Sequence, residues 1–494
     1  MDRTYWFNRK NKKFLHNIDT FYFSVKLADD LTADSEQPEV IELRHYCDNY
    51  RNGSDDIPYM DIPYDYALQY TSFSYAGFYN FCISCPDKFD FFLAPIVPRN
   101  VEATCGSVTS EIIVQIRAEM LWEMGATLAY RKCMEFVRAF CNKFNLTIQE
   151  VKENRVDFAW HTNALQDPEN YFRIDRFAPM QVSRFKRVNY SYELYGTDFE
   201  NDYINLGKRG DKCFIRIYLK TKEVVQKGYK GFFLKLWLFQ GLISRYDFYC
   251  LDKAYMERNW NYCDIARLQF KLEYDPEDLT ADQINEIRQL ICPEQAQYNY
   301  PAIRELADKY TPRITKVLNV EFQTMRKMTK SFNLFPLKKN EGVESRVLDF
   351  LDNRKIITDY LTDKTFRLID PKADSNRSRC PMNDFWNRLR NTKQVDVVIN
   401  KHDLKLIRDY SSQLDIKMRK KRAMRSMSSY AMLISRDWQG DYNEDWEEIA
   451  CTMNDNDMYD LRHYKHKRFN RMKNSLPDIT FENELDQEDP TDEV

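Results

Sequence analysis

Residues 213–223 read CFIRIYLKTKE, and this short run decides the fold class. As a strand it alternates, with Ile215, Ile217 and Leu219 on one face and Arg216, Tyr218 and Lys220 on the other. The apolar face has to be buried, which leaves a phenol between two cations on the opposite face. A tyrosine hydroxyl, with an ordinary pKa near ~10, is a weak nucleophile at neutral pH. Flanking positive charge favours the phenolate and also binds a phosphate, as attack on a phosphodiester requires. Taken alone, the same pattern equally describes a solvated strand face.

Two further stretches have the same texture. Residues 154–163, NRVDFAWHTN, place Arg155, Asp157, Ala159 and His161 on one strand face. Residues 266–274, ARLQFKLEY, do the same for Arg267, Gln269, Lys271 and Glu273. Other expected strands are 18–27, 90–96 and 111–117; a helix is expected over 127–144, and 231–254 reads as mostly helical. The fold class expected is α+β, an antiparallel sheet with packed helices followed by a mostly helical C-terminal region. Residues 48–56 read as a loop, and helical patterns run over 302–328 and 343–358. Thr280 with Gln283 three residues on forms a helix entry. The expected organisation is a catalytic domain over 1–275, a helical connector and linker over 276–340, a basic helical region over 341–475 and an acidic disordered tail over 476–494.

Composition narrows the function. With 12 glycines in 494 residues and no phosphate-loop string, nothing in the sequence points to an energy-coupled NTPase. The net charge of −3 hides an asymmetry. The last 17 residues hold eight acids and no Lys or Arg, so the remainder carries 73 basic against 68 acidic residues, a net of +5. Basic runs at 417–425 and 462–473 suit phosphate contacts, although a solvated helix face explains them equally well. No signal pattern or membrane-length apolar run occurs, and the 12 scattered cysteines point to a reduced cytoplasmic protein. Cys82 and Cys85 form a lone CxxC, half of what a structural zinc needs.

The string YINLGKRGDKCFIRIYLKTKEVV, residues 203–225, resembles the replication initiation factor family of rolling-circle initiators and related conjugative-element relaxases. The resemblance rests on Gly207, Lys208 and Arg209 leading into Arg216, Tyr218, Lys220 and Glu223. The upstream R-x-D strand is matched by residues 155–161, the downstream R-x-E strand by 267–269, and the first strand by IDTFYF with Asp19. It covers about residues 15–275. The resemblance implies that Tyr218 attacks an origin strand to form a 5′-phosphotyrosine, with Arg216 and Lys220 steadying the phosphate. It also implies Mg²⁺ or Mn²⁺ held by Asp157, His161 and Glu273, and DNA contacts by Lys208, Arg209, Arg155 and Arg267. The implied partners are DNA, a host helicase and a polymerase, in a protein able to oligomerise. Two positions depart from the family pattern: His161 and Gln269 stand where acids are expected. Glu273, the next acid on that face, lies about 13 Å further along a strand rising ~3.3 Å per residue. Alternatives are an origin-binding protein on the same scaffold that does not cut, and a relaxase for conjugative transfer.

Overall fold

The structure, a computed structural model, describes residues 2–8, 13–52, 68–71, 73–96, 110–185, 188–192, 201–292, 297–332, 340–374, 376–394, 401–435, 447, 450–454 and 457–458. The strands, in chain order, are β1 (Phe14–Leu27), β2 (Gln69–Thr71), β3 (Phe81–Cys85), β4 (Phe89–Leu93), β5 (Ile112–Ile116) and β6 (Ile148–Thr162). They continue with β7 (Gln181–Ser183), β8 (Val188–Tyr192), β9 (Asn201–Leu206), β10 (Cys213–Leu219), β11 (Leu318–Met325) and β12 (Phe366–Leu368). Antiparallel sheet packed against helices, with a helix-rich C-terminal region, makes this an α+β chain. Among the described residues no helix is long and apolar enough to cross a membrane.

The chain forms two compact units. The smaller takes its described residues from Ser24–Val114, Lys132–Glu150 and Asp437–Val494. In it β2, β3 and β4 run antiparallel in order, and Phe136 and Phe140 of the helix Ala126–Lys143 pack on Phe91 at centroid distances of 5.3 and 4.7 Å. Cys82 and Cys85 are buried in β3, where they serve as small core side chains.

The larger unit comprises Met1–Phe23, Gln115–Arg131 and Val151–Arg436. Its strand order is β1–β6–β11–β10–β9–β8. β11 pairs antiparallel with β6 on one side and β10 on the other, so its backbone groups are satisfied along both edges. One face of these strands is apolar: Trp160, Phe322 and Trp386 meet in a chain of rings at 5.7 and 6.3 Å, and Phe366 packs on Trp386. The opposite face is polar yet largely buried, because helices carrying Trp122, Phe233 and Trp237 cover it.

Two expectations are corrected by the fold. Residues 266–274 are not a strand; they belong to the helix Tyr262–Tyr274. Its Ile265 and Leu268 pack on Ile287 and Ile303, while Ala266 and Phe270 pack on Tyr246 and Cys250. ARLQFKLEY satisfies both a period of 2 and helical spacing, and two packing partners on different sides of the segment select the helix. Conversely, the helical pattern expected over 302–328 stops at Tyr310, just before Pro312, and LNVEFQTM becomes β11. The central strand thus comes from the segment expected to be a connector. The loop expected at 48–56 is helical up to Asn52, and its remainder lies outside the described residues, as do 462–473 and the acidic tail. The capping box at Thr280 and Gln283 is present, and the aromatic-rich 228–263 insert folds into the helices Phe232–Gln240 and Arg245–Glu257.

Candidate active site

Register builds the site. On β10, Arg216 and Tyr218 face the same way; across β11 they oppose Glu321 and Asn319. On the far side of β11, Gln323, Glu321 and Asn319 oppose Asp157, Ala159 and His161 of β6. Directly paired residues share a face, so three strands present one polar grid with the small Ala159 near its middle. Lys220 has left the strand to become the first residue of the helix Lys220–Lys227. Its ammonium nevertheless reaches back to the Tyr218 hydroxyl at 3.1 Å.

The Tyr218 hydroxyl makes three hydrogen bonds. It donates to Glu321 Oε2 at 3.0 Å and accepts from Lys220 Nζ and from Asn319 Nδ2, the latter at 2.9 Å. Arg216 Nη2 donates to Glu321 Oε1 at 2.5 Å, and its guanidinium lies 5.2 Å from the centre of the Tyr218 ring. Around this centre Arg155 binds both oxygens of Asp157 at 2.9 and 2.5 Å. Lys220 also pairs with Glu223 at 2.8 Å and with Asp19 at 3.6 Å. Asp19 is completed by Lys230 at 3.0 Å and the Trp122 indole N–H at 3.1 Å. Four carboxylates are therefore matched by four cations, which is how so many ionisable groups tolerate burial.

Electrostatics follow from this packing. Burial drives the Tyr218 phenol well above its ordinary pKa, with the Glu321 charge adding to the effect and Lys220 opposing it. Burial alone would lower the Lys220 pKa, but Asp19, Tyr218 and Glu223 together push it well up, so it stays charged. Burial would raise the Asp19 carboxyl, yet Lys220 and Lys230 hold it well below the carboxylate range; Glu223 is likewise brought to about 2, with Lys220 the main opposing charge. Asp157 goes the other way, to about 6, because burial outweighs Arg155.

The residues expected to hold a metal do not come together. Glu273 sits on the helix Tyr262–Tyr274, where it accepts a hydrogen bond from the Tyr249 hydroxyl at 2.8 Å. His161 is fully buried, stacked on Trp122 at 4.6 Å, and its Nδ1 accepts from the Trp237 indole at 3.2 Å. Both Asp157 oxygens are engaged by Arg155. Among the described residues no group of three or more His, Cys, Asp or Glu is arranged to hold a metal ion. The donor set expected from sequence does not fit a divalent cation.

The expected DNA-contact residues also separate. Lys208 and Arg209 are exposed in the turn between β9 and β10, where Gly207 takes a φ of +87°. Arg155 is half-buried against Asp157. Arg267 is buried; it binds Asp264, Asp308 and the carbonyls of Ala307, Thr311 and Pro312, so it fastens the end of the helix Tyr300–Tyr310. Gln269 lies on that same outlying helix as Arg267, outside the grid, and its place as the third-strand acid is taken by Glu321. Glu321, Asn319 and Lys230 were not foreseen. The signal for the first two was the alternation N-V-E-F-Q after the helix-ending Pro312.

No protein-family model matches the chain, and no curated protein matches it. Among solved structures it is similar to a rolling circle replication initiator protein from Geobacillus stearothermophilus, at 12% identity and a TM-score of 0.34, over 78% of this chain and 100% of that one. So slight a likeness carries no argument about activity.

Proposed function

We propose that the protein is a replication initiator that cuts and rejoins one DNA strand at an origin, with Tyr218 as the nucleophile. The observation that carries this reading is the Tyr218 hydroxyl, bonded at once to a carboxylate and to an ammonium. Glu321 takes the phenol proton, and the phenolate oxygen attacks phosphorus. The P–O3′ bond breaks, the 3′-oxygen takes up a proton, and the 5′-phosphate stays esterified to Tyr218. Lys220 and Asn319 hold the oxygen as its charge develops, and Arg216 faces the phosphate. One phosphoester bond forms for each that breaks, so rejoining needs no nucleotide hydrolysis, in keeping with the missing phosphate loop.

Tyr218 is only 8% exposed, whereas the Arg216 side chain is 31% exposed, so a phosphate approaches from the Arg216 side. The burial of Tyr218 also favours a second reading, an origin-binding protein that does not cut.

The two readings separate on supercoiled plasmid carrying the gene and its flanking sequence, assayed with and without Mg²⁺ or Mn²⁺. Cutting predicts nicked circles with protein on the 5′ end, reduced at least about a hundredfold by Tyr218→Phe. Specific binding without any nicked product overturns the cutting reading.

A further inference from the structure

Two fully buried residues beside Tyr218 each keep one polar atom without a hydrogen-bond partner among the described residues: His161 at Nε2 and Asn319 at Oδ1. The two residues oppose each other directly in the β6–β11 pairing, which sets their Cβ atoms about 5 Å apart on one face of the sheet. One of the two atoms is a donor and the other an acceptor, as their remaining contacts show. An indole N–H can only donate, and that of Trp237 donates to His161 Nδ1 at 3.2 Å. Burial, with the Lys220 charge adding to it, brings the His161 pKa down to about 3, so at neutral pH the ring has one proton. With Nδ1 accepting, that proton is on Nε2.

Asn319 is fixed from its other side. Its Nδ2 donates to the Tyr218 oxygen at 2.9 Å and to Glu321 Oε2 at 3.2 Å. A carboxylate oxygen only accepts, so the amide turns its NH2 group, and not its carbonyl, to that pair. Tyr218 stands on the β10 side of β11, and His161 on the β6 side. One water between them, accepting from His161 Nε2 and donating to Asn319 Oδ1, satisfies both buried atoms and spans about 5 Å.

We propose that His161 is a positioning residue for strand cutting: through this water it holds the Asn319 amide with its NH2 group toward Tyr218. The inference rests on the strand-cutting role of Tyr218. The need for it arises during the reaction. Before cutting, the Glu321 carboxylate keeps the amide NH2 turned toward the site. Once Glu321 has taken the phenol proton it can donate as well as accept, and it no longer dictates which end of the amide faces the phenolate. A turned amide would set its carbonyl oxygen against the developing negative charge. The same turn would present an NH2 group to the water already accepting from His161. A water accepting from both would place its own hydrogens against the rings of Trp122 and Phe233, which lie 4.6 and 4.9 Å from the imidazole. Donation therefore runs one way, from Trp237 to His161, to the water, to Asn319 and to Tyr218. The helix Phe232–Gln240, part of the aromatic-rich insert, supplies the obligate donor that sets this direction.

Six histidines in the chain make the tautomer readable. The full-length protein, labelled with nitrogen-15 at histidine, is measured by long-range proton–nitrogen NMR at neutral pH, and the His161 signals are identified by their loss in His161→Phe. In parallel, the protein is incubated with a random-sequence pool of single-stranded DNA and digested with nuclease and trypsin. Nucleotide transfer to the tryptic peptide 217–220, which carries Tyr218, is then followed by mass in wild type, His161→Phe and His161→Gln. Phe keeps a ring stacked on Trp122 and loses the donor, whereas Gln keeps an N–H donor and loses the ring. The expected result is the Nε2–H tautomer, with transfer reduced about 10- to 100-fold in His161→Phe and largely kept in His161→Gln. A role in packing alone reverses the order of the two variants. An Nδ1–H tautomer, or transfer in His161→Phe equal to or above that in His161→Gln, overturns the proposal and leaves the role of Tyr218 standing. No transfer in the wild type overturns that role, and the proposal with it.

Discussion

Tyr218 donates its hydroxyl proton to Glu321 at 3.0 Å across adjacent antiparallel strands, although 103 positions separate the two residues in the chain. The same carboxylate accepts from Arg216 through its other oxygen. In the proposed mechanism Glu321 is the base, held by Arg216 and aimed at the Tyr218 proton. Replacing Glu321 by Gln keeps the shape and removes the basicity, so strand cutting should fall by about 10²–10⁴-fold. Circular dichroism and the denaturation midpoint check that the variant remains folded.

Lys220 is the shared cation of the site, paired with Asp19 and Glu223 and bonded to Tyr218. Its removal strips two buried carboxylates of a shared counter-charge. Lys220→Met should cost about 3–5 kcal/mol of stability, measured by chemical denaturation at neutral pH. The depressed Asp19 pKa contributes stability above the ordinary carboxylate range and loses it as pH falls through the folded value, so acid should narrow the gap between variant and wild type.

His16 and His161 are both buried, and burial brings each to about 3. The unfolded chain protonates these imidazoles near ~6.5, where the folded protein cannot. Stability from the pair is complete above that value and is lost as pH falls toward 3. Asp157, raised to about 6, acts in the opposite sense, since the folded state gains a proton there as pH drops. His161→Phe should therefore flatten the fall in unfolding free energy between about pH 6.5 and 5 by close to one proton, as read from denaturation midpoints at a series of pH values.

Arg267 and the exposed cations of the helix Lys401–Ser435 should differ in effect. Arg267→Ala leaves Asp264, Asp308 and three carbonyls without this donor, at a cost of about 3–5 kcal/mol. Its expected effect on the salt dependence of DNA binding is nil. Lys421 is half-buried and pairs with Glu257, whereas Arg422 is exposed, as are Arg419 and Lys420. Changing Arg419 and Lys420 to Ala should weaken binding across all sequences and reduce the salt slope by about 1 per residue, as read by fluorescence anisotropy over a salt series.

Much of this was legible in the sequence, and the exceptions have physical causes. CFIRIYL and NRVDFAWHT alternate, with Ile215, Ile217 and Leu219 on one face of the first and Val156, Phe158 and Trp160 on one face of the second, so both strands, and the shared side of Arg216 and Tyr218, followed from period alone. ARLQFKLEY fits either period, and only its contacts with Ile287 and Tyr246 on different sides decide for a helix. That ambiguity drew the third strand to the wrong segment and made Gln269 look like a missing acid. The acid is present at Glu321 in β11, beyond the helices Ala281–Leu290 and Tyr300–Tyr310, in a segment whose helical pattern hid the strand. Lys230 was hidden for a different reason: its reach to Asp19 depends on the left-handed turn after Gly228.

The most direct test is nucleotide transfer from single-stranded DNA to peptide 217–220, followed by mass spectrometry in wild type and in Glu321→Gln at equal fold stability. A nucleotide on Tyr218 in the wild type, reduced at least about a hundredfold in the variant, is the expected result. Transfer at the wild-type rate without the carboxylate, or no nucleotide on Tyr218 in the wild type, would contradict the account.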